Sequence, residues 1–351
     1  MKIAIDCRFI GKSGIGTYIE NIVQCMISEH PENDYLLLSN KKFSITIPEN
    51  VDVQIIKNKP FTIKEMFFMD CSKINNCDVF FSPYINIPFG IKIPIYSTIH
   101  DVIFLDVPEL TSRFGRLLRW GFYKLALVRS KKVFTVSNFS KKQILYHFHT
   151  KTPIVVTYSA ISNVVKMSKR DSSIKMNYFV FIGNIKAHKG IDILLKAFRC
   201  AQKQGLNSEL YIVGEKEKFR TNDKKLLSEL VNSKIHFTGF ISNEELITLL
   251  KSAKALILPS RYEGLGLPPM EAIYLGTNAI VSDIPVFKEI YKDLPVEMFV
   301  KDNVNDLTKC LLEQYPKEFD VVNTQKYIDS IYNFSIICNK ILKEIKNDNT
   351  K

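Results

Sequence analysis

The 351-residue chain contains no run of 18 apolar residues, and its N-terminus meets Asp6 and Arg8 before a signal-peptide core can form. A membrane-spanning helix and a secretory leader are both excluded on this reading, so the expected location is the cytoplasm. The seven cysteines (Cys7, Cys25, Cys71, Cys77, Cys200, Cys310, Cys338) are scattered, odd in number and without metal-ligand spacing. They read as reduced thiols and predict neither a disulfide framework nor a metal site. Internal repeats and low-complexity segments are absent. Glycine is scarce, 14 residues in all, against an ordinary share of about 7%. Yet eight of the 14 fall in three clusters: Gly11, Gly14 and Gly16; Gly183 and Gly190; Gly264, Gly266 and Gly276. A chain that uses glycine so sparingly places it where the backbone itself has work to do.

Apolar residues make up 46% of the chain, ample for burial, and its length exceeds what one core usually organises, so two domains of similar size are predicted. The net charge of +12 points to an anionic partner: nucleic acid, an acidic membrane surface or a phosphorylated substrate. No pattern of base-stacking aromatics interleaved with arginine accompanies that charge, so no nucleic-acid partner is expected.

The most informative stretch runs from Pro259 to Gly276, Pro-Ser-Arg-Tyr-Glu-Gly-Leu-Gly-Leu-Pro-Pro-Met-Glu-Ala-Ile-Tyr-Leu-Gly. It follows Ala253 to Leu258, an apolar run that suits a buried parallel strand. Gly264 and Gly266 free the backbone to approach a ligand, Pro268 falls where a helix can begin, and Gly276 stops that helix. The result is strand, glycine loop and helix N-terminus, an arrangement whose amides and dipole favour an anion. Glu263 and Glu271 frame it, with seven residues between them, so both carboxylates can face one bound molecule. Acids beside amide donors suit a ligand rich in hydroxyls and phosphate.

Two other segments repeat the theme. Lys2 to Cys7 reads as a strand, Arg8 to Gly16 as a loop, and a helix is predicted from about Ile15, with Tyr18, Ile22, Val23 and Met26 on one stripe. A dinucleotide fingerprint would need glycine where Ile19 stands, which argues against a dehydrogenase. Tyr178 to Ile182 is a strand, followed by Gly183-Asn184-Ile185-Lys186-Ala187-His188-Lys189-Gly190 and a helix with Ile193, Leu194, Ala197 and Phe198. Further strands at 35–38, 51–56, 79–82, 93–99, 132–136, 153–157, 210–214, 235–238 and 278–282 alternate with helices, as a doubly wound α/β sheet requires. Helices are predicted at 223–231 and 242–252. His100-Asp101 closes one strand, and ligands gather at carboxyl ends of strands in such sheets. A long amphipathic helix is predicted from Thr111 to Lys132, with Phe114, Leu117, Leu118, Phe122, Leu125 and Val128 as one apolar stripe and Arg113, Arg116, Arg119, Lys124, Arg129, Lys131 and Lys132 around it. The polar stretch Ser162 to Asn177 reads as the interdomain linker.

Several of these segments resemble one family. Glu-Gly-Leu-Gly-Leu-Pro-Pro-Met-Glu-Ala is similar to the donor motif of retaining GT-B glycosyltransferases of family four (glycosyl transferases group 1). Gly14-Ile15-Gly16-Thr17-Tyr18 resembles their N-terminal glycine loop, and His-Asp-Val-Ile-Phe-Leu-Asp-Val-Pro-Glu at 100–109 resembles the mannosyltransferase-like branch. The resemblance covers about residues 1–345. It implies two Rossmann-like domains facing a central cleft, 1–165 for the acceptor and 175–330 for the donor, with 331–351 as a C-terminal helix crossing back to the first domain. Asn333-Phe334-Ser335-Ile336 is similar to the opening of that helix, with Ile336 in place of the family's Trp.

The implied activity is transfer of a hexose, first choice mannose from GDP-mannose, to a glycan or lipid-linked acceptor in bacterial surface polysaccharide synthesis. UDP- or dTDP-sugar donors, and a GT-B nucleotide-sugar epimerase, are the alternatives. Carried over residue by residue, Lys189 and the amides near Gly16 and Gly190 hold the diphosphate, Gly14 and Asn184 contact the donor, Glu271 takes the ribose hydroxyls, and Glu263 with Gly264, Leu265, Gly266 and Leu267 the sugar hydroxyls. The implied catalytic residues are His100, near the anomeric carbon and phosphate, Asp101, near the acceptor, and Glu263. The family's Arg before Lys189 is His188 here, which leaves Lys186 or His188 as the second phosphate cation. No Asp-x-Asp motif occurs, so no metal or other cofactor is expected. The basic helix from Arg113 to Lys132 is expected to make peripheral contact with anionic membrane on its inner face.

Overall fold

The computed structural model describes residues 1–11, 13–40, 48–168, 174–183, 186–214, 233–313 and 315–349. The chain divides into two compact units, Met1–Ala160 with Tyr332–Lys351, and Ile161–Ile331. The predicted helix at 223–231 falls outside the described residues.

The first unit is built on seven parallel strands: β1 (Lys2–Asp6), β2 (Asp34–Ser39), β3 (Val51–Ile55), β4 (Val79–Ser82), β5 (Ile95–Thr98), β6 (Lys132–Thr135) and β7 (Ile154–Val156). Their order is β3-β2-β1-β4-β5-β6-β7, all parallel. A sheet covered on both faces needs strands apolar on both sides, and β1 shows it. Ile3 and Ile5 pack on one face with Tyr18, Ile19, Ile22 and Met26 of the helix Ser13–Glu29, whereas Ala4 packs on the other with Leu36, Phe80 and Val133.

The helix Phe334–Asn349 belongs to this unit. Ile337, Ile341, Leu342 and Ile345 are buried in the same core cluster as Ile3 and Ile22. Lys132 of β6 pins its end, with Nζ 2.6 Å from Glu344 Oε2 and 3.0 Å from Asp348 Oδ2. Ile336, where the family resemblance has a Trp, is 43% exposed.

The second unit repeats the plan with six parallel strands, β8 (Tyr178–Ile182), β9 (Glu209–Val213), β10 (Ile235–Gly239), β11 (Ala255–Leu258), β12 (Asn278–Ser282) and β13 (Val296–Phe299), in the order β10-β9-β8-β11-β12-β13. Both sheets are doubly wound, so each has a point where strand order reverses and the loops on either side diverge. That point lies between β1 and β4 in the first unit and between β8 and β11 in the second.

Three expectations are corrected. The first helix begins at Ser13, so Gly14 and Gly16 lie in its first turn and not on a preceding loop. The segment expected as a linker carries a helix, Asn163–Met167, where Val165 is buried and Lys166 Nζ is 2.6 Å from Asp329 Oδ1 of the same unit. The long helix is Arg113–Arg129, capped by Ser112, and it buries Tyr123, Ala126 and Leu127, while Phe114 (76%), Leu117 (65%), Leu118 (52%) and Val128 (67%) are exposed. Helical periodicity identifies an apolar stripe, but when two stripes lie side by side it cannot say which one meets the sheet.

Candidate active site

In the second unit the two loops beside the switch point carry most of the residues expected to bind a donor. After β11, Gly266 takes φ +80° and opens the helix Leu267–Tyr274, with Pro268 in its first turn. A side chain at Gly266 would place its Cβ 2.4 Å from Phe287 Cε1, so only glycine fits. Tyr291 Oη donates to the Gly266 carbonyl and fixes that corner. Among the described residues, the main-chain N–H groups of Leu265 and Gly266 have no acceptor. With the helix dipole behind them they form an anion-directed turn.

The loop after β8 closes against this one. Ala187–Lys189 makes a single turn, and Gly190, at φ +65°, opens the helix Ile191–Lys203. A Cβ on Gly190 would sit 1.9 Å from the Pro259 carbonyl oxygen, so the two backbones touch. Lys189 Nζ lies 2.6 Å from Glu263 Oε1, and Ser260 Oγ donates to the same oxygen at 2.6 Å. Two residues chosen independently from sequence, 74 positions apart, therefore form one ion pair. Glu263 is only 9% exposed. Asn184 lies outside the described residues.

Glu271 stands in the following helix. Among the described residues its carboxylate has no partner, and burial pushes its pKa up to about 7. It is a half-buried acceptor poised between its two protonation states near neutral pH.

His188 is 7% exposed, its Nδ1 has no partner, and burial, with help from the neighbouring Lys189 charge, holds its pKa down to about 4. It is neutral at physiological pH and supplies no positive charge, whereas Lys186 is exposed. The residues that the sequence reading passed over are Arg261 and Asp192. Arg261 Nη2 is 2.7 Å from Asp192 Oδ2, and its Nε is 2.6 Å from Asp302 Oδ1. The signal was present, since an arginine two residues before Glu263 invites a search for its counter-charges.

In the first unit, His100 follows β5 and its Nε2 is 2.9 Å from the Pro83 carbonyl oxygen. A carbonyl only accepts, so Nε2 carries the proton and Nδ1 presents a lone pair. Burial holds the ring's pKa down to about 4, and the Tyr18 ring meets it edge-on at 4.8 Å. Asp101 Oδ1 accepts from the Ile103 N–H at 3.1 Å and so shapes the turn that follows. Gly16 is buried, and a Cβ there would lie 2.4 Å from the Phe9 carbonyl oxygen, whereas Gly14 has nothing within 4 Å.

Among the described residues, no helix is long and apolar enough to cross a membrane.

Residues 166–314 match the sequence model of the family described as Glycosyl transferases group 1. The chain is 30% identical over 195 residues to the O-antigen chain mannosyltransferase RfbU of Salmonella typhimurium, covering 55% of this chain and 53% of the relative. It is 35% identical over 123 residues to the serotype-specific mannosyltransferase WbdA of Escherichia coli, covering 33% of this chain and 14% of the relative. The chain thus spans about half, or less, of the length of these relatives. Among solved structures, Anabaena HepE in complex with UDP and glucose superposes with TM-score 0.73 at 15% identity, covering 99% of this chain and 100% of that one. The sucrose-phosphate synthase of Thermosynechococcus elongatus does so with TM-score 0.70 at 14% identity, covering 100% and 99%. At these identities the structural likeness establishes the fold, two Rossmann-like units of the GT-B class.

Proposed function

We propose that this chain, whose residues 166–314 match the glycosyl transferases group 1 family, is a retaining glycosyltransferase. It moves a hexose, mannose from GDP-mannose as first choice, to a hydroxyl of a glycan or lipid-linked oligosaccharide in bacterial surface polysaccharide synthesis. The observation that carries this reading is the Lys189–Glu263 pair, 2.6 Å apart, beside the acceptor-free N–H groups of Leu265 and Gly266. The mannosyltransferase relatives support the choice of sugar.

In the proposed reaction the bond between the anomeric carbon and the diphosphate oxygen breaks, and a bond to the acceptor oxygen forms on the same face. The acceptor proton passes to the departing phosphate. Lys189 and the amides of the two turns stabilise the charge that grows on the diphosphate, and no metal is required. Glu263 receives the sugar hydroxyls and Glu271 the ribose hydroxyls. His100, neutral and with Nδ1 as acceptor, suits a sugar hydroxyl better than a phosphate. Asp101 holds the turn beside it on the acceptor side, and Gly14 and Gly16 are assigned to the donor by the resemblance of their loop.

The test is a panel of GDP-, UDP- and dTDP-sugars incubated with the pure protein, with and without EDTA, following release of nucleoside diphosphate. We expect slow release from one donor, unaffected by the chelator. Release from none would overturn the reading, and activity lost in EDTA and restored by manganese would overturn its metal independence.

The helix Arg113–Arg129, with exposed Phe114, Leu117, Leu118 and Val128 beside Arg113 and Arg116, supports peripheral contact with anionic lipid at the inner face of the cytoplasmic membrane. Arg113→Ala with Arg116→Ala is expected to reduce flotation with anionic vesicles. Unchanged flotation would remove that contact.

A further inference from the structure

We infer that Arg261 is a positioning residue, which holds the turn carrying Lys189 in the place where its ammonium can meet a nucleoside diphosphate. The inference rests on the donor reading of Lys189 given above.

Arg261 lies on the loop after β11, and nearly everything it donates to lies on the other loop or just beyond it. Its main-chain N–H donates to the His188 carbonyl at 2.7 Å. Its Nη1 donates to the Ala187 carbonyl at 2.6 Å and to Asp192 Oδ1 at 2.8 Å. Nη2 donates to Asp192 Oδ2 at 2.7 Å and Nε to Asp302 Oδ1 at 2.6 Å. The turn Ala187–Lys189 is thus gripped at two successive carbonyls, at the first turn of the helix that follows it, and at Gly190 by contact with Pro259.

A lysine side chain has four rotatable bonds, so where its ammonium can reach depends on how firmly its Cα is held. Loss of the guanidinium leaves the Ala187 carbonyl and the Asp192 carboxylate without this donor, and the turn is released while the rest of the sheet keeps its packing. Arg261 is itself a poor candidate for a direct phosphate contact. Its N–H groups already face two carboxylates and a carbonyl, which neutralise its charge and fix its fork.

Positioning and direct contact differ in a double-mutant cycle. If Arg261 acts through Lys189, removing it matters only while Lys189 is present.

The experiment titrates GDP, UDP and dTDP by calorimetry into wild type, Lys189→Ala, Arg261→Ala and the double variant. Failure of wild type to bind any of the three overturns the donor reading itself, and so does a Lys189→Ala variant that binds as wild type does. With a binding nucleotide in hand, we expect Arg261→Ala to weaken affinity about tenfold, and the double variant to bind within about twofold of Lys189→Ala alone. Arg261→Lys is expected to behave like Arg261→Ala, because a point charge cannot bridge Asp192, Asp302 and Ala187 together. Effects that multiply in the double variant would overturn the inference. If Arg261→Ala does not unfold cooperatively on heating, Asp192→Ala replaces it, removing two of the guanidinium bonds while leaving the arginine. A loss of about threefold that vanishes in the Lys189→Ala background supports the inference, and one that persists overturns it.

Discussion

In the second unit the loops beside the switch point lie so close that a Cβ on Gly190 would meet the Pro259 oxygen at 1.9 Å. In the first unit Gly14, in the first turn of the helix after β1, has nothing within 4 Å, although a Cβ on Gly16 would meet the Phe9 oxygen at 2.4 Å. Both units share one strand plan and both carry a glycine cluster after a strand, yet the clusters do different work. In the second they let two backbones touch and bring an ion pair to the carboxyl ends of the two central strands. In the first they admit a helix that starts early, and the polar group nearby is a neutral histidine fixed by a carbonyl. Glycine is therefore a packing necessity at Gly190 and Gly16 and a matter of local freedom at Gly14.

Substitutions can break that contrast, the largest effect first. Lys189→Ala should lower kcat/KM about a hundredfold, in the range seen when a fixed donor to developing charge is removed. His100→Ala should lower kcat about tenfold with donor KM little changed, as expected for a group that acts at the reacting centre. Because burial keeps its pKa down to about 4, no histidine ionisation of this residue should shape the pH profile between pH 5.5 and 8. A limb near pH 6.5 that disappears in His100→Asn would contradict it.

Gly190→Ala should cost about 2–4 kcal/mol in denaturant unfolding, through both the clash and the left-handed backbone. Gly14→Ala should be neutral or stabilising by up to about 1 kcal/mol, since alanine favours a helix more than glycine does. Equal costs at the two positions would erase the contrast.

Glu271 sharpens the comparison from another side. Its pKa of about 7 in the folded protein lies above the unfolded carboxyl value of roughly 4.3. The unfolded state therefore loses its proton first, and folding is progressively weakened as pH rises from the lower value to the upper one. Above pH 7 the full cost of burying the charge is present. Glu271→Gln should then raise stability by about 1–3 kcal/mol at pH 8 and by little at pH 4. The same change should raise donor KM about tenfold, because ribose contacts are made alike in ground and transition states. A variant neither more stable nor weaker in binding would show that the carboxylate is an ordinary surface acid.

Much of this was legible in the chain. The strand, glycine loop and helix order could be read because parallel sheets demand short apolar runs and because Gly266 and Gly190 occupy backbone conformations that few other residues tolerate. Glu263 and Lys189 could each be named, but their pairing could not, since the register of β8 beside β11 is a property of the folded sheet. Arg261 escaped notice for the same reason, as its partners Asp192 and Asp302 are 69 and 41 residues away. His188 was open as a phosphate cation until its burial showed it to be neutral. The helix at 113–129 is legible from its period, but which face meets the sheet is not, because its inward residues Tyr123, Ala126 and Leu127 are less apolar as a stripe than the outward ones.

Hydrogen exchange of main-chain amides with and without GDP or UDP addresses most directly whether the second unit's two turns hold a diphosphate. We expect slowed exchange at 187–191 and at 264–267, lost in Lys189→Ala. A nucleotide that binds and leaves both turns unchanged, while protecting amides elsewhere, would contradict the account.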